Sequence, residues 1–279
     1  MSIARTIAAW VSATATTAGP AEKATQAEVD AGTEASHIVD GETLRAADNL
    51  EGALIDTQVF TANGTWTKPA GTRMVEVECL GGGGGGGGAD CSDSVSWAVG
   101  GGGGGGGYCR ALFLSSAWGA TVAVVVGSGG AGGASTGGNG AAGGTSTFNG
   151  VSSPYCSASG GGAAGGTSTN NTVGSAGVGS FGTAAGFIGT SRRRDIGGGG
   201  NGGNVSSTWQ GMWGGAGGGP FGGCTLMPQM QTNTGAYTGT TAPTSAHGVG
   251  GTGGLVKNSA GGAAGGAGKA GLVRVRSYS

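Results

Sequence analysis

Two uninterrupted runs of eight glycines, Gly81–Gly88 and Gly100–Gly107, constrain the fold more than any other feature of the sequence. Glycine has no side chain to bury and loses more backbone freedom on folding than any other residue. The runs therefore predict either a flexible tether or extended, polyproline-II-like rods that pack backbone against backbone. At about 3.1 Å per residue, one run would form a rod of about 25 Å.

The overall composition favours order. Glycine accounts for 72 of 279 residues, but only 6 prolines are present and no strict Gly-X-Y period exists, which excludes collagen. Apolar residues make up 37% of the chain, with 6 tryptophans, and charged residues only 10%. Disordered chains usually show the opposite balance. We therefore expect packed rods instead of a tether.

The charges divide the chain into two parts. Residues 1–79 hold 5 Lys/Arg and 11 Asp/Glu, a net charge of −6, and residues 80–279 hold 8 and 3, a net charge of +5. A positive excess this thin predicts no nucleic-acid partner. We predict that the domain boundary lies between residues 1–56 and residues 57–279, where the sequence pattern changes to that of β-strands.

The cysteines form no metal-binding pattern. No CxxC pair occurs, and no histidine lies at zinc-ligand spacing. We expect buried free thiols, and the odd number of cysteines fits assembly in a reducing cytoplasm. The five residues are Cys79, Cys91, Cys109, Cys156 and Cys224.

The N-terminal part predicts an attachment segment. Ile3, Ile7 and Trp10 recur at near-helical spacing, which favours an amphipathic element that presents Trp10 to a partner. A signal peptide is the alternative, but its apolar core would be too short. The helix formers at 26–31 end at Gly32, a typical residue after a helix C-terminus. Helices this short bury little surface, so we expect self-association.

A β pattern begins at Thr57. Asn63-Gly64 is a turn signal and predicts a hairpin between 59–61 and 65–67. Further strands are expected at Tyr108–Leu114 and at Thr121–Val126, and the latter is apolar on both faces and therefore predicted to be buried. Together with 145–148 and Val151, these strands supply the core.

Two strands carry complementary charges on one face. In 73–80, Val75, Val77 and Cys79 alternate with Glu76 and Glu78, and in 271–278, Val273 and Val275 alternate with Arg274 and Arg276. We predict that Val77 and Val275 lie in one sheet, with the Glu and Arg side chains paired across its outer face. Exposed pairs of this kind contribute about 0–1 kcal/mol each and would mainly fix the register.

Spacers of unequal length separate the later glycine segments and contain the candidate binding residues. Aromatic side chains among Ser, Gly and Gln suggest a recognition surface or, alternatively, caps on the rod bundle. The Arg192–Arg194 run fits either a solvated loop or a site for the phosphate or carboxylate groups of a ligand. The candidates are Trp97, Phe187, Arg192, Arg193, Arg194, Trp209, Trp213, Met230, Tyr237 and His247.

Nothing in the sequence favours catalysis. Asp90, Asp93 and Asp195 are the only acidic residues after residue 80, and they form no acid/base or metal pattern with the histidines. Glycine-rich matches to nucleotide-binding motifs arise by chance in such runs. We predict a non-enzymatic protein without cofactor or metal.

The segment Ala24-Thr-Gln-Ala-Glu-Val-Asp-Ala-Gly-Thr33 resembles a short motif of tail-fibre proteins from tailed bacteriophages. In that family Val-Thr-Pro and Leu commonly follow. Here the corresponding stretch is 39–44, Val-Asp-Gly-Glu-Thr-Leu, which keeps the hydrophobic positions and lacks the proline.

A second resemblance covers residues 57–279. The order of Phe60-Thr-Ala-Asn-Gly-Thr-Trp66, Lys68-Pro-Ala-Gly71, an alternating strand, poly-glycine and a closing alternating strand is similar to the glycine-rich tip domain of phage tail fibres and adhesins. The resemblance implies a mainly β fold, in which a small β-sandwich-like frame carries a bundle of polyglycine-II rods. It also implies that loops between the rods form the receptor-recognition surface.

The resulting expectation is a two-part virion tail protein, assembled in the host cytoplasm. Residues 1–56 would attach to other tail or baseplate proteins and associate as a homotrimer, and residues 57–279 would bind an outer-membrane protein or lipopolysaccharide. A structural virion protein, such as a head fibre or tail connector, is the alternative. A bacterial glycine-rich surface protein is disfavoured because the sequence shows no export signal.

Overall fold

The computed structural model describes residues 52–150, 152–188, 193–195, 204–205, 212–213, 229–230, 235–239, 247–257 and 260–279. These residues form a mainly β fold with mainly antiparallel sheets and one short 3-10 turn, Ser115–Ala117. The part of the chain so described contains no α-helix. The predicted N-terminal helices, with Ile3, Ile7 and Trp10, lie outside it.

The strands are short and follow one another closely along the chain. In order, they are β1 (Leu54–Phe60), β2 (Gly64–Thr67), β3 (Met74–Leu80), β4 (Ala89–Cys91), β5 (Trp97–Val99), β6 (Tyr108–Leu114), β7 (Thr121–Val125), β8 (Ser146–Phe148), β9 (Tyr155–Ala158), β10 (Thr172–Val173), β11 (Gly182–Ala185), β12 (Arg193–Asp195), β13 (Asn204–Val205), β14 (Met212–Trp213), β15 (Gln229–Met230), β16 (Gly235–Tyr237), β17 (Leu255–Lys257), β18 (Gly261–Ala263) and β19 (Leu272–Tyr278).

Two five-stranded sheets form what we call the base. Their strand orders are β1-β19-β3-β6-β12 and β11-β9-β8-β7-β2, and both contribute side chains to one hydrophobic core. Trp66, Phe113, Trp118 and Phe148 form an aromatic cluster in this core, with edge-to-face contacts between Trp66 and Phe148 at 5.6 Å. The base therefore has an ordinary side-chain core, which the glycine segments lack.

The predicted pairing of the two charged strands is confirmed. β19 lies antiparallel to β3, with Val275 opposite Val77, Arg276 opposite Glu76 and Arg274 opposite Glu78. The valines face the core and are fully buried. Alternation in the sequence therefore identified the strand partners and the pairing of Glu with Arg on one face, and the structure gives the register.

The charged face is more buried than the sequence suggested. Glu76 and Glu78 are only 8% and 7% exposed, because three arginine side chains lie over them. Arg276 Nη1 donates to Glu76 Oε2 at 2.6 Å and to Glu78 Oε1 at 3.0 Å, and Arg274 Nε donates to Glu78 at 3.0 Å. Arg110, from the neighbouring strand β6, donates to Glu76. The pairs thus form a network across three strands.

This network predicts acid sensitivity of the base. Burial by itself raises the pKa of Glu76, but the hydrogen bonds and charges of Arg276 and Arg110 outweigh it, and the pKa lies below the ordinary value of 4.5. The stabilisation is therefore present above pH 4.5 and is lost as the pH falls through the lower folded-state pKa. We expect Glu76→Gln to cost on the order of 1 kcal/mol at pH 7 and to flatten the acid limb of stability measured by denaturant titration. Parallel acid limbs for both proteins would contradict this.

The predicted hairpin at residues 57–67 is wrong. β1 pairs with β19, whereas β2 pairs with β7 in the other sheet. The Asn63-Gly64 turn therefore carries the chain from one sheet to the other. Asn63 Oδ1 accepts a hydrogen bond from the Val126 amide at 2.8 Å, which ties this crossing to the end of β7.

The prediction that Thr121–Val126 is buried on both faces is also wrong. Along β7, only Val122 and Val124 are buried, and Val125 is 43% exposed. One face of β7 packs on the core and the other is exposed, as in an ordinary antiparallel sheet. The strand predicted at Tyr108–Leu114 is confirmed as β6.

The first glycine run is the centre of a bundle of glycine-rich segments, and we call Gly81–Gly88 the central segment. All eight of its residues are buried. Within the described residues it bonds to six neighbouring segments. In order around it, these are 100–107, 159–167, 138–144, 127–134, 264–271 and 248–254.

The hydrogen bonds of the central segment repeat every third residue. Its amides donate at 2.8–2.9 Å to three neighbours in turn, and its carbonyls accept from the other three. The amides of 81, 84 and 87 donate to 100–107, those of 82, 85 and 88 donate to 138–144, and those of 83 and 86 donate to 264–271. Successive neighbours also bond to each other, so the ring around the central segment is closed.

Close backbone packing explains why the central segment is glycine. A Cβ atom built on any of its residues would lie less than 3.0 Å from a neighbouring backbone carbonyl. Three of these carbonyls belong to Ser128, Ala131 and Ala134 of one neighbouring segment, whose own side chains are exposed. Side chains are thus tolerated only where they point away from the bundle.

Candidate functional site

Three glycine hairpins of the bundle each extend a pair of base strands, and the fourth, 248–254 with 264–271, leads into one base strand, β19. β3 continues into the central segment, and the 100–107 segment returns into β6, which pairs with β3. β7 and β8 are joined in the same way by 127–134 and 138–144, and β9 and β11 by 159–167 and 174–181. The connections between the paired segments therefore all lie at the end away from the base.

We call these connections the distal loops. They comprise residues 89–99, 135–137, 168–173 and 255–263, with 258–259 outside the described residues. Two small sheets join the first, third and fourth of these loops, with strand orders β10-β5-β17-β16 and β18-β4. A second, small core holds the first and fourth loops together and consists of Ala89, Cys91, Ala98, Val256 and Ala263. The far end of the bundle is thus an ordered surface.

Apolar side chains are exposed on this surface. Val95, in the first distal loop, is 77% exposed, and Val173, in the third, is 40% exposed. Trp97 is half-buried and lies opposite Lys257, which is only 4% exposed. An exposed valine at a loop tip costs little by itself, but apolar side chains exposed on two joined loops of one ordered face suit contact with a partner.

The first distal loop is shaped by Asp93. Its Oδ1 accepts hydrogen bonds from the amides of Val95 and Ser96, at 2.9 and 2.7 Å, and its Oδ2 accepts from Ser96 Oγ at 2.9 Å. The Val95 amide is the main cause that lowers the pKa of Asp93, followed by the Ser96 hydroxyl. The carboxylate therefore stays ionised and holds the turn that exposes Val95.

Several predicted binding residues lie at the base. Phe187 packs half-buried against the base core, and Arg193 and Arg194 lie on β12, paired with Arg110 and Cys109 of β6. The ring of His247 is half-buried, with Nδ1 3.0 Å from the Gly271 carbonyl oxygen, where the chain leaves the bundle for β19. The structure does not bring these residues together with Trp97.

The remaining predicted residues are described by backbone position alone or not at all. Tyr237 lies on β16, in the same distal sheet as Trp97. Trp213 and Met230 lie on β14 and β15 of a separate three-stranded sheet. Arg192 and Trp209 lie outside the described residues.

Sequence reasoning missed Val95, Val173 and Asn170, which bridges two distal loops. The available signal was the three-residue spacing of side chains in the glycine segments, such as Ser128, Ala131 and Ala134. This spacing continues along each glycine segment, and the position at which it stops marks the start of a loop.

The thiol and metal chemistry of the described residues is simple. Cys79, Cys91, Cys109 and Cys156 are free and buried, as predicted, and Cys224 lies outside the described residues. Burial raises the pKa of Cys156 well above its ordinary value, so the thiol stays protonated. Within the described ranges, no three His, Cys, Asp or Glu side chains come close enough to bind a metal. The described part of the chain also lacks a helix with the length and apolarity to span a bilayer.

The fold and the distal surface define a class of protein in which a β base carries a backbone-packed glycine bundle with loops at its far end. Comparison with known proteins agrees with that class. The model of the glycine-rich domain family matches residues 57–278, and the chain belongs to that family. No curated protein matches the chain at a significant level.

Proposed function

We propose that the chain is a bacteriophage tail-fibre protein whose distal loops bind a receptor on the bacterial surface, without chemistry. The observation that carries the proposal is the position of these loops. They gather on one ordered face at the end of the bundle, opposite the base, and expose Val95 and Val173 there. The tail-fibre-like motif at 24–33 supports the same reading.

In this proposal the glycine segments are polyglycine-II helices. The support is the hydrogen-bond repeat of three residues around Gly81–Gly88, which matches the three residues per turn of a polyproline-II-type helix. Such a bundle is a stiff spacer that holds the loops away from the base.

The remaining parts of the proposal concern partners and location. Residues 1–56 attach the chain to other tail or baseplate proteins and associate as a homotrimer in the virion, after assembly in the host cytoplasm. The receptor is an outer-membrane protein or a lipopolysaccharide. Treatment of outer-membrane vesicles with protease or with periodate separates these two receptors, because only one treatment should abolish binding.

Virion adsorption tests the receptor surface directly. We expect Val95→Asp to slow adsorption to host cells at least about tenfold, since a charge would be forced into the apolar contact. Val178→Asp is the matched control, because Val178 is 72% exposed on the side of the bundle and Val95 is 77% exposed on the distal face. Both virions should carry equal amounts of the protein, measured by quantitative immunoblot.

Normal adsorption of the Val95→Asp virions would contradict the receptor surface. If, in addition, virions fail to assemble when residues 1–56 are deleted, the two results together would favour the alternative, a structural virion protein. The two functions are therefore separated by which end of the chain is sensitive to change.

A further inference from the structure

One side chain joins the tips of two distal loops. Asn170 Nδ2 donates to Asp93 Oδ2 at 2.6 Å and to Ser92 Oγ at 3.0 Å. Asn170 Oδ1 accepts from the Ser92 amide at 3.1 Å. Three hydrogen bonds thus connect the loop at 168–173 with the loop at 89–99, across 77 or 78 residues of sequence.

Backbone hydrogen bonds hold these loops together only near their ends. The Asp90 amide donates to the Thr167 carbonyl at 2.9 Å, and the Asn171 amide donates to the Trp97 carbonyl at 2.6 Å. β10 then runs parallel to β5, with Thr172 opposite Ala98. Residues 92–96 lie between these anchors, and among the hydrogen bonds of the described residues only those of Asn170 join them to the third loop.

We propose that Asn170 is a positioning residue of the distal surface. It fixes residues 92–96 against the 168–173 loop before a partner binds, so that Val95 and Val173 form one preformed contact surface. This inference rests on the proposed function, because it assigns Asn170 a role in receptor binding. Asn170 itself need not touch the receptor.

The chemistry of the site suits an amide. The groups on the first loop that face Asn170 are two acceptors, the Asp93 carboxylate and the Ser92 hydroxyl oxygen, and one donor, the Ser92 amide. The asparagine side chain has two N–H donors and a carbonyl acceptor and so satisfies all three groups at once, whereas a hydroxyl, with a single donor, cannot. An ordered loop binds with less loss of conformational entropy than a mobile one, so the lock should increase affinity without adding a receptor contact.

A charge swap tests the proposal without a change in size. Asn170→Asp places a second carboxylate against Asp93 and removes the donor. The double variant Asp93→Asn with Asn170→Asp reverses the pair: the residue 93 amide now donates to the residue 170 carboxylate. In this double variant, Oδ1 of residue 93 can still accept from the amides of Val95 and Ser96, and the Ser92 hydroxyl can donate to residue 170 instead of accepting.

Two readouts on the full-length protein are compared. Hydrogen exchange of the peptide that contains residues 92–96 reports loop order and needs no receptor. Adsorption of virions to host cells reports binding. Asn139→Asp is the control, since it adds the same charge at the distal end of the 138–144 segment while its Oδ1 can still accept from the Gly166 amide.

We expect Asn170→Asp to speed exchange in 92–96 and to slow adsorption at least about tenfold, the scale of a lost charge-assisted hydrogen bond. The swap should restore both readouts to within about threefold, and Asn139→Asp should leave both unchanged. Unchanged exchange in Asn170→Asp would overturn the proposal, as would a swap variant that remains as impaired as the single variant.

The outcomes also separate this proposal from the proposed function. If Val95→Asp virions lose adsorption but Asn170→Asp virions adsorb normally despite faster exchange, only the positioning role is overturned. If Val95→Asp virions adsorb normally, the receptor surface itself is wrong, and the role of Asn170 in binding is overturned with it.

Discussion

Replacing Gly85 with alanine is expected to destabilise the glycine bundle by more than about 3 kcal/mol, the upper end of typical overpacking costs. Gly85 lies in the middle of the central segment, and its added Cβ would overlap the Ala131 carbonyl. The neighbouring atoms are backbone and cannot rotate aside as a side chain would. The collagen triple helix is disrupted by Gly substitutions at its crowded axis for the same reason.

Chemical denaturation followed by circular dichroism measures this effect. Gly119→Ala is the matched control, because a Cβ at Gly119 has no atom within 4 Å and its φ is not in the left-handed region. That variant should change the free energy of unfolding by less than about 0.5 kcal/mol, like most surface substitutions. Equal stabilities for Gly85→Ala and Gly119→Ala would show that the segments do not pack backbone to backbone.

Replacing Trp66 with alanine is expected to cost about 3–5 kcal/mol, the range for a large buried aromatic side chain. Trp66 is fully buried in the base core and makes edge-to-face contacts with Trp118, at 6.4 Å, and with Phe148. Its removal leaves a cavity lined by aromatic rings. The loss should appear as a lower denaturation midpoint with a similar slope.

Trp66→Phe refines the comparison. The indole Nε1–H of Trp66 is buried and has no hydrogen-bond partner among the described residues. Phenylalanine removes this unpaired donor along with part of the volume, so its cost should be well below half that of Trp66→Ala. If both variants lost the same stability, the indole N–H of Trp66 would have to form a hydrogen bond in the folded protein in solution.

The sequence predicted the strands whose side chains alternate. β3 and β19 were paired correctly, because their valines and their charges both had to match across the sheet. The hairpin at 57–67 was predicted incorrectly, because a turn signal fixes a change of direction and not the sheet that the next strand enters. Burial of β7 on both faces was also wrong, since a run of apolar residues does not show which face a neighbouring sheet covers.

The candidate site was predicted only in its first loop. The insert between the two long glycine runs does form a distal loop, and Trp97 lies in it. Phe187 and His247 lie at the other end of the bundle. Spacers alternate between the two ends of the bundle, and the sequence alone does not show at which end a given spacer lies. The bridge from Asn170 to Asp93 joins residues far apart in sequence, so no local pattern could indicate it.

The closed ring around Gly81–Gly88 has a consequence for the thermodynamics of the protein. Unfolding this bundle exposes mainly peptide groups, whereas unfolding the base exposes apolar side chains. Apolar exposure raises the heat capacity and polar exposure lowers it. The bundle should therefore contribute little to the heat capacity change of unfolding, and the stability of the whole protein should vary less with temperature than its length implies.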